Sequence, residues 1–373
     1  MKSPSTPAPI NPVRLLGKTI ILFLVFNLIA LSYSPDLGQI SAYNLLFPGR
    51  ERFPFGENPQ QSYNLSLFNL NAMFKSLALD GTPKTAGEFR IITIGDSSVW
   101  GTLLKPDETL AGLLDGRKLN LCGGRVRVYN LGYPSLSLTK DLMILEQALR
   151  YQPDLIIWLT TLEAFPRDQQ LVSPLVANNP QRVRSLIQQY ALNLDPADPA
   201  LVNPSLLDRT LLGQRRPLMD LIRLQLLGVM WAATGIDQLY PASYQPAATD
   251  LTVDQAYHGL TPASFDSQKL AFDLLEAGHR MAGSVPILLV NEPMLVSQGA
   301  NSDLRYNFFY PRWVYDRYRS QLSQIVQARD WQSLDLWDMI PPGQFTNSAI
   351  HLTPGGEEML ANKIQASLPG FCP

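Results

Sequence analysis

A serine hydroxyl is a weak nucleophile until a neighbouring base takes its proton. The stretch at 90–101, RIITIGDSSVWG, places Ser97 directly after an apolar run closed by Gly95 and Asp96. β-Branched and apolar residues that end in a glycine turn have the pattern of a central parallel strand at its carboxyl edge, where open α/β sheets hold their ligands. The chain has three histidines, His258, His279 and His351. His351, in FTNSAIHLTPGG, follows the last expected strand and precedes the last expected helix, so it belongs at the same edge as Ser97. Such a pair would support acyl transfer through a covalent serine intermediate. His258 (AYHGLT) and His279 (EAGHRM) lie away from that edge in sequence, where a solvated or capping role is expected.

To bring Ser97 and His351 together, the chain between them must form a sheet. FRIITIG, RVRVYNLG, DLIIWLT, VPILLVNEP and SLDLWDMI read as strands. Helical patterns at 108–119, 139–151 and 311–328, and a last one after HLTPGG, alternate with them. The βαβ alternation predicts an α/β fold with a central parallel sheet. Thr353 and Pro354 suit the start of the last helix, and Glu357 and Glu358 its positive first turn. The expected organisation is a stub and anchor at 1–35 and an arm at 36–88 holding an amphipathic piece at 65–79. A first core part at 89–165, a helical insertion or lid at 166–283 and a second core part at 284–373 follow. Within the insertion, 215–236 (RRPLMDLIRLQLLGVMWAATGI) is apolar through most of its second half. It is expected to be a buried lid helix over the site, the alternative being a helix that touches a membrane or a membrane partner.

Residues 15–33, LLGKTIILFLVFNLIALSY, contain a single charge, Lys18, and approach the roughly 20 residues needed to cross a bilayer. Lys2, Arg14 and Lys18 flank or open the run, and the first charge after it is Asp36. This polarity predicts a single-pass anchor with the main domain outside the cytoplasm. The alternative is a signal peptide cleaved near IALSYS, which would give a secreted protein. The net charge of −2, with no cluster of Lys and Arg, excludes nucleic acid as an expected partner. Cys122 and Cys372 have no CxxC or histidine-rich company, so no metal and no cofactor are expected, and a single disulfide between the two is allowed.

The arrangement resembles the SGNH (GDSL) hydrolase family over 89–165 and 284–373. Ser97 in IGDSSVWG matches the nucleophile, Gly132 in YNLGYPSLS the second-block glycine, and His351 the base. The resemblance implies a three-layer α/β/α fold, with the N–H groups of Ser97 and Gly132 holding the oxyanion. It also implies the exported, membrane-tethered kind of member. Two departures stand out. Where the third block normally ends in Gly-x-Asn-Asp, WLTTLEAF has Thr160, Leu162 and Glu163, and leucine donates no hydrogen bond; Ser98, Thr160 or Thr161 would have to replace the missing donor. Where an aspartate normally precedes the histidine, the chain offers Asn347 and Ser348, with Asp338 a remoter acid. Asn347 is thus the candidate partner of His351.

The function implied is a membrane-anchored serine esterase or O-acyltransferase acting on acyl esters of an extracytoplasmic glycan or envelope polymer. A membrane-bound acyltransferase is the implied partner. The alternative is a non-catalytic glycan-binding or assembly protein on the same scaffold. Trp100, Tyr133, Tyr310 and Trp313 would line a sugar cleft in either case.

Overall fold

The computed structural model describes residues 11–32, 49–53, 70–216 and 243–372, with scattered residues between 218 and 234. Helix α1 (Pro12–Ser32) is continuous, has a mean hydropathy of 2.1, and exposes its apolar side chains along its length. At 1.5 Å per residue it is about 31 Å long, enough to cross a hydrocarbon layer of about 30 Å.

The strand–helix alternation builds a six-stranded sheet. Its strands are β1 (Glu88–Gly95), β2 (Asn120–Leu121), β3 (Gly124–Gly132), β4 (Leu155–Thr160), β5 (Ile287–Asn291) and β6 (Ser333–Asp335), in the order β2-β3-β1-β4-β5-β6. All neighbours are parallel except β2, which pairs antiparallel with β3. The expected central parallel sheet is present, and β2, whose two residues are too few to leave a periodic signal, joins its edge antiparallel. Leaving β2 aside, the order is that of a doubly wound sheet, in which the chain leaves β1 toward β3 on one side and later builds β4 on the other. A crevice opens at such a switch point, at the carboxyl ends of the strands, and Ser97 is placed there.

Alternate strand residues enter two separate cores, as a period of two requires. Ile92, Ile94, Ile156, Trp158 and Leu289 pack with α4 (Leu138–Ala148), α6 (Phe272–Ala282) and α7 (Arg312–Arg329). Ile91, Ile157, Leu159 and Val290 pack with α3 (Leu110–Gly116) and α8 (Pro354–Ser367). Covering both faces yields three α/β/α layers and explains why the strands are unbroken apolar runs. Helix α2 (Ser97–Trp100) is the short turn after β1, and α5 (Pro180–Tyr190) lies in the expected insertion. α6 also falls inside that insertion yet covers the sheet, so closely that a Cβ on Gly278 would stand 2.3 Å from the Trp158 ring.

Thr353 caps α8 through the Gly356 N–H, with Pro354 in the first turn. Glu357 lies in the first turn of α8, as expected, and is 2 % exposed there, so burial raises its pKa to about 8. The expected piece at 65–79 is described from Leu70 onward, as two short helices whose Leu70, Met73 and Phe74 join the first core. Of 215–236, only scattered residues are described, all helical. Met219, Ile222, Leu226 and Met230 are exposed, so the expected burial of this segment as a lid is corrected for them. Cys122, at the β2–β3 turn, is disulfide-bonded to Cys372, tying the sheet edge to the C-terminal residues.

Candidate active site

The turn that presents Ser97 is made by backbone crowding and held by polar clamps. A Cβ on Gly95 would lie 2.5 Å from Val99 Cγ2 and 3.1 Å from the Leu159 carbonyl oxygen, so only glycine lets α2 fold back this tightly. Gly101 closes α2 at a φ of 86°, in the left-handed region. Asp96 caps the helix, its Oδ1 accepting from the Ser98 N–H at 2.8 Å. The carbonyl oxygens around the turn are taken by three side chains from elsewhere in the fold. Lys140 Nζ donates to Gly95 O at 2.6 Å, Asn130 Nδ2 to Val99 O at 2.8 Å, and Arg52 Nη1 to Gly101 O at 2.8 Å.

His351 approaches from the loop before α8. Its Nε2 lies 2.8 Å from Ser97 Oγ, and its Nδ1 lies 2.9 Å from Asn347 Oδ1. The structure therefore brings together three side chains whose sequence positions lie up to 254 residues apart. Thr346 Oγ1 lies 3.4 Å from Asn347 Oδ1 and 3.2 Å from the His351 carbonyl oxygen, the nearer acceptor for its one proton. An acceptor at Nδ1 places the ring proton there and leaves the Nε2 lone pair facing the serine hydroxyl. Burial of the ring pulls the His351 pKa down to about 4, so the imidazole is neutral over the physiological range. Asp338, the remoter candidate, is exposed, and Asn347 occupies the position it would have needed.

Beneath the serine lies a buried charged cluster that the sequence reading missed. Ser98 Oγ donates to Glu292 Oε2, and the Glu292 carboxyl hydrogen-bonds Asp96. Burial and then the charge of Asp96 push Glu292 well above the usual carboxylate range. Burial also raises Asp96, against the attraction of Lys140. Lys140 is fully buried and pairs with Asp141 at 2.6 Å. The available signal was positional: Glu292 in VNEP directly follows an apolar strand, as Asp96 does. Lys140 and Asp141 carried no such mark, being ordinary polar letters in a helix.

Several expected roles change. The Gly132 N–H donates to Asn130 Oδ1 at 2.9 Å, so this amide is satisfied within the protein rather than aimed at an incoming oxygen. Glycine is required there for a different reason: a Cβ would stand 2.3 Å from Trp100 N, where β3 presses against α2. Ser97 N–H, the first amide of α2, has no acceptor within the helix. Of the three hydroxyls considered as replacements, Ser98 is bonded to Glu292 and Thr161 to Tyr310 at 3.0 Å, while the buried Thr160 Oγ1 has no partner among the described residues. Leu162 is fully buried in the core.

Of the two remaining histidines, His258 is exposed, as expected, and His279 is half-buried. His258 Nε2 bonds Glu163 Oε1 at 2.7 Å, which raises its pKa, whereas His279 stacks on Trp331 at 3.5 Å and burial lowers its pKa to about 4. Trp100, Tyr133 and Tyr310 are buried and cannot line a sugar cleft, and the Trp313 indole N–H is bonded to the Gln255 carbonyl. Tyr244 and Phe308 do border open space. With Leu103, Pro246, Ala247 and Asn347 they line a cleft of about 550 Å³ beside the histidine.

No family model matches the chain, and no curated protein matches it. Among solved structures it is similar to a member of the lipolytic protein G-D-S-L family from Veillonella parvula, at 12% identity and a TM-score of 0.38 over 74% of this chain and 96% of that one. It is also similar to a catalytic mutant of an acetylxylan esterase from Geobacillus stearothermophilus, at 11% and 0.36 over 77% and 96%. A third likeness is to a carbohydrate acetylesterase family member from Sinorhizobium meliloti, at 11% and 0.34 over 75% and 99%. At such identities these are likenesses of fold, and the chemistry of the site is read from its own geometry.

Proposed function

We propose that the protein is a serine esterase or O-acyltransferase. In this proposal it is tethered to a membrane through residues 15–33 and acts outside the cytoplasm on acyl esters of a glycan or other envelope polymer. The observation that carries the catalytic part is the chain of contacts from Ser97 Oγ through His351 to Asn347. In the proposed reaction, Ser97 Oγ attacks the ester carbonyl carbon while His351 Nε2 takes its proton, and the Ser97 N–H holds the oxyanion. Collapse breaks the bond to the leaving alcohol, which receives the proton from His351, and leaves an acyl group on Ser97. Water then completes hydrolysis, or a second hydroxyl completes transfer, by the same steps in reverse. An amide at Nδ1 orients the ring as the asparagine of papain-like sites does, without supplying charge.

The extracytoplasmic placement is supported by Lys2 ahead of α1, by Arg14 and Lys18 in its first turns, and by the Cys122–Cys372 disulfide, which persists in oxidising compartments. A membrane-bound acyltransferase would be the acyl source if transfer is the reaction. The second reading, a non-catalytic glycan-binding or assembly protein, is favoured by the occupied Gly132 amide and by the apolar Leu162 at the third block. A serine-reactive fluorophosphonate separates the two. It should label the full-length protein and leave Ser97→Ala unlabelled at unchanged thermal stability; absence of labelling in the wild type would reject the catalytic reading.

A further inference from the structure

Met219, Ile222, Leu226 and Met230 are all at least half exposed, and their spacing of three, four and four puts them on one helical face. Just before them, Leu206 and Leu207 are exposed as well, at 74 % and 62 %. Large apolar residues in such a run mark an interaction surface, since scattered single exposures are what ordinary solvated surfaces show. The same part of the insertion reaches α1. Leu212 N–H donates to Asn27 Oδ1 at 3.4 Å, and Asn27 is 9 % exposed in a helix that is otherwise open along its length.

We propose that Leu206, Leu207, Met219, Ile222, Leu226 and Met230 form a second, non-spanning membrane contact, lying in the interface of the bilayer leaflet into which α1 emerges. The inference rests on α1 crossing that bilayer, as proposed above. Asn27 lies five residues before the end of α1 at Ser32, about 7.5 Å along the axis. That is the depth, about 5–10 Å, at which interfacial amphipathic helices seat their apolar faces. The Asn27 side chain would be costly in hydrocarbon unless paired. Here its Nδ2 donates to Phe23 O at 2.7 Å, and its Oδ1 accepts from the Leu212 backbone. Arg209, Arg215 and Arg216, all exposed, flank the apolar run and suit anionic headgroups. The contact would fix how the catalytic body faces the membrane, which one transmembrane helix alone leaves free to swing.

Spin labels on the full-length chain in nanodiscs containing anionic lipid test this. Both native cysteines are disulfide-bonded, so a label reports only an introduced cysteine. Leu226→Cys and Ile222→Cys are compared with Leu24→Cys in α1 and with Ser323→Cys on the exposed face of α7. Labels at 222 and 226 should follow the one at 24, being relaxed by oxygen and shielded from a water-soluble nickel chelate. If they follow the label at 323 while the one at 24 stays lipid-exposed, the inference fails and the anchor stands. Protection from both reagents would show a protein contact and would equally overturn it. If the label at 24 is itself open to the chelate, the anchor reading fails first.

Discussion

Asn347→Asp puts a carboxylate where an amide oxygen now lies 2.9 Å from His351 Nδ1. In the wild-type protein, burial holds the imidazole pKa near 4 against an ordinary value of 6.5, so forming the imidazolium costs about 3 kcal/mol more than in water. A carboxylate in contact with Nδ1 favours the charged ring and should recover most of that cost. If proton transfer to His351 is complete in the transition state, hydrolysis of a small acetyl ester should rise about 300-fold. If it is half complete, the rise should be about 20-fold, and both lie below the roughly 10⁴ lost when a triad aspartate becomes asparagine. The pH profile provides an independent check. The base must be neutral, so the acid limb of kcat/KM should lie near pH 4 in the wild type and move up toward 6.5 in the variant. Ser348→Asp should do neither, because Asn347 already occupies Nδ1, and Ser97→Ala should abolish the gain. An unmoved acid limb with less than a twofold change in rate would refute the assignment of Asn347 as the partner of a working base.

Gly132→Ala forces a Cβ against the backbone of α2. It should cost about 1–3 kcal/mol of stability by chemical denaturation and, by moving Ser97, roughly 10²-fold in probe labelling. Glu357 is raised to about 8 from 4.5, so the folded state binds the extra proton between those values; its stability contribution is complete below 4.5 and is lost as pH rises toward 8. Thermal melts should accordingly show Glu357→Gln losing less stability than the wild type between pH 5 and 8.5, by up to about 4 kcal/mol. Reducing Cys122–Cys372 opens a loop of 250 residues and should lower stability by about 5 kcal/mol on the chain-entropy account, read as a fall in Tm with reductant.

The strands were legible because each is a buried apolar run bounded by turn residues, and burial on both faces leaves that mark on the sequence itself. Ser97 and His351 were legible for a related reason: each lies where such a run ends or a helix begins, and the parallel connections bring those ends to one edge. The two-residue β2 was not, since it has no period to detect. Nor was the placement of α6, which its sequence shares with any amphipathic helix and which only the fit of Gly278 against Trp158 assigns to the sheet. Gly132 was found by its type but misjudged in its role, because whether an amide faces a substrate or a neighbouring asparagine depends on side-chain geometry across two elements. The cluster of Asp96, Lys140 and Glu292 was least visible of all. A carboxyl or ammonium group is written identically whether solvated or buried, and only packing from β1, α4 and β5 withdraws water from these three and sets them to hold the serine turn.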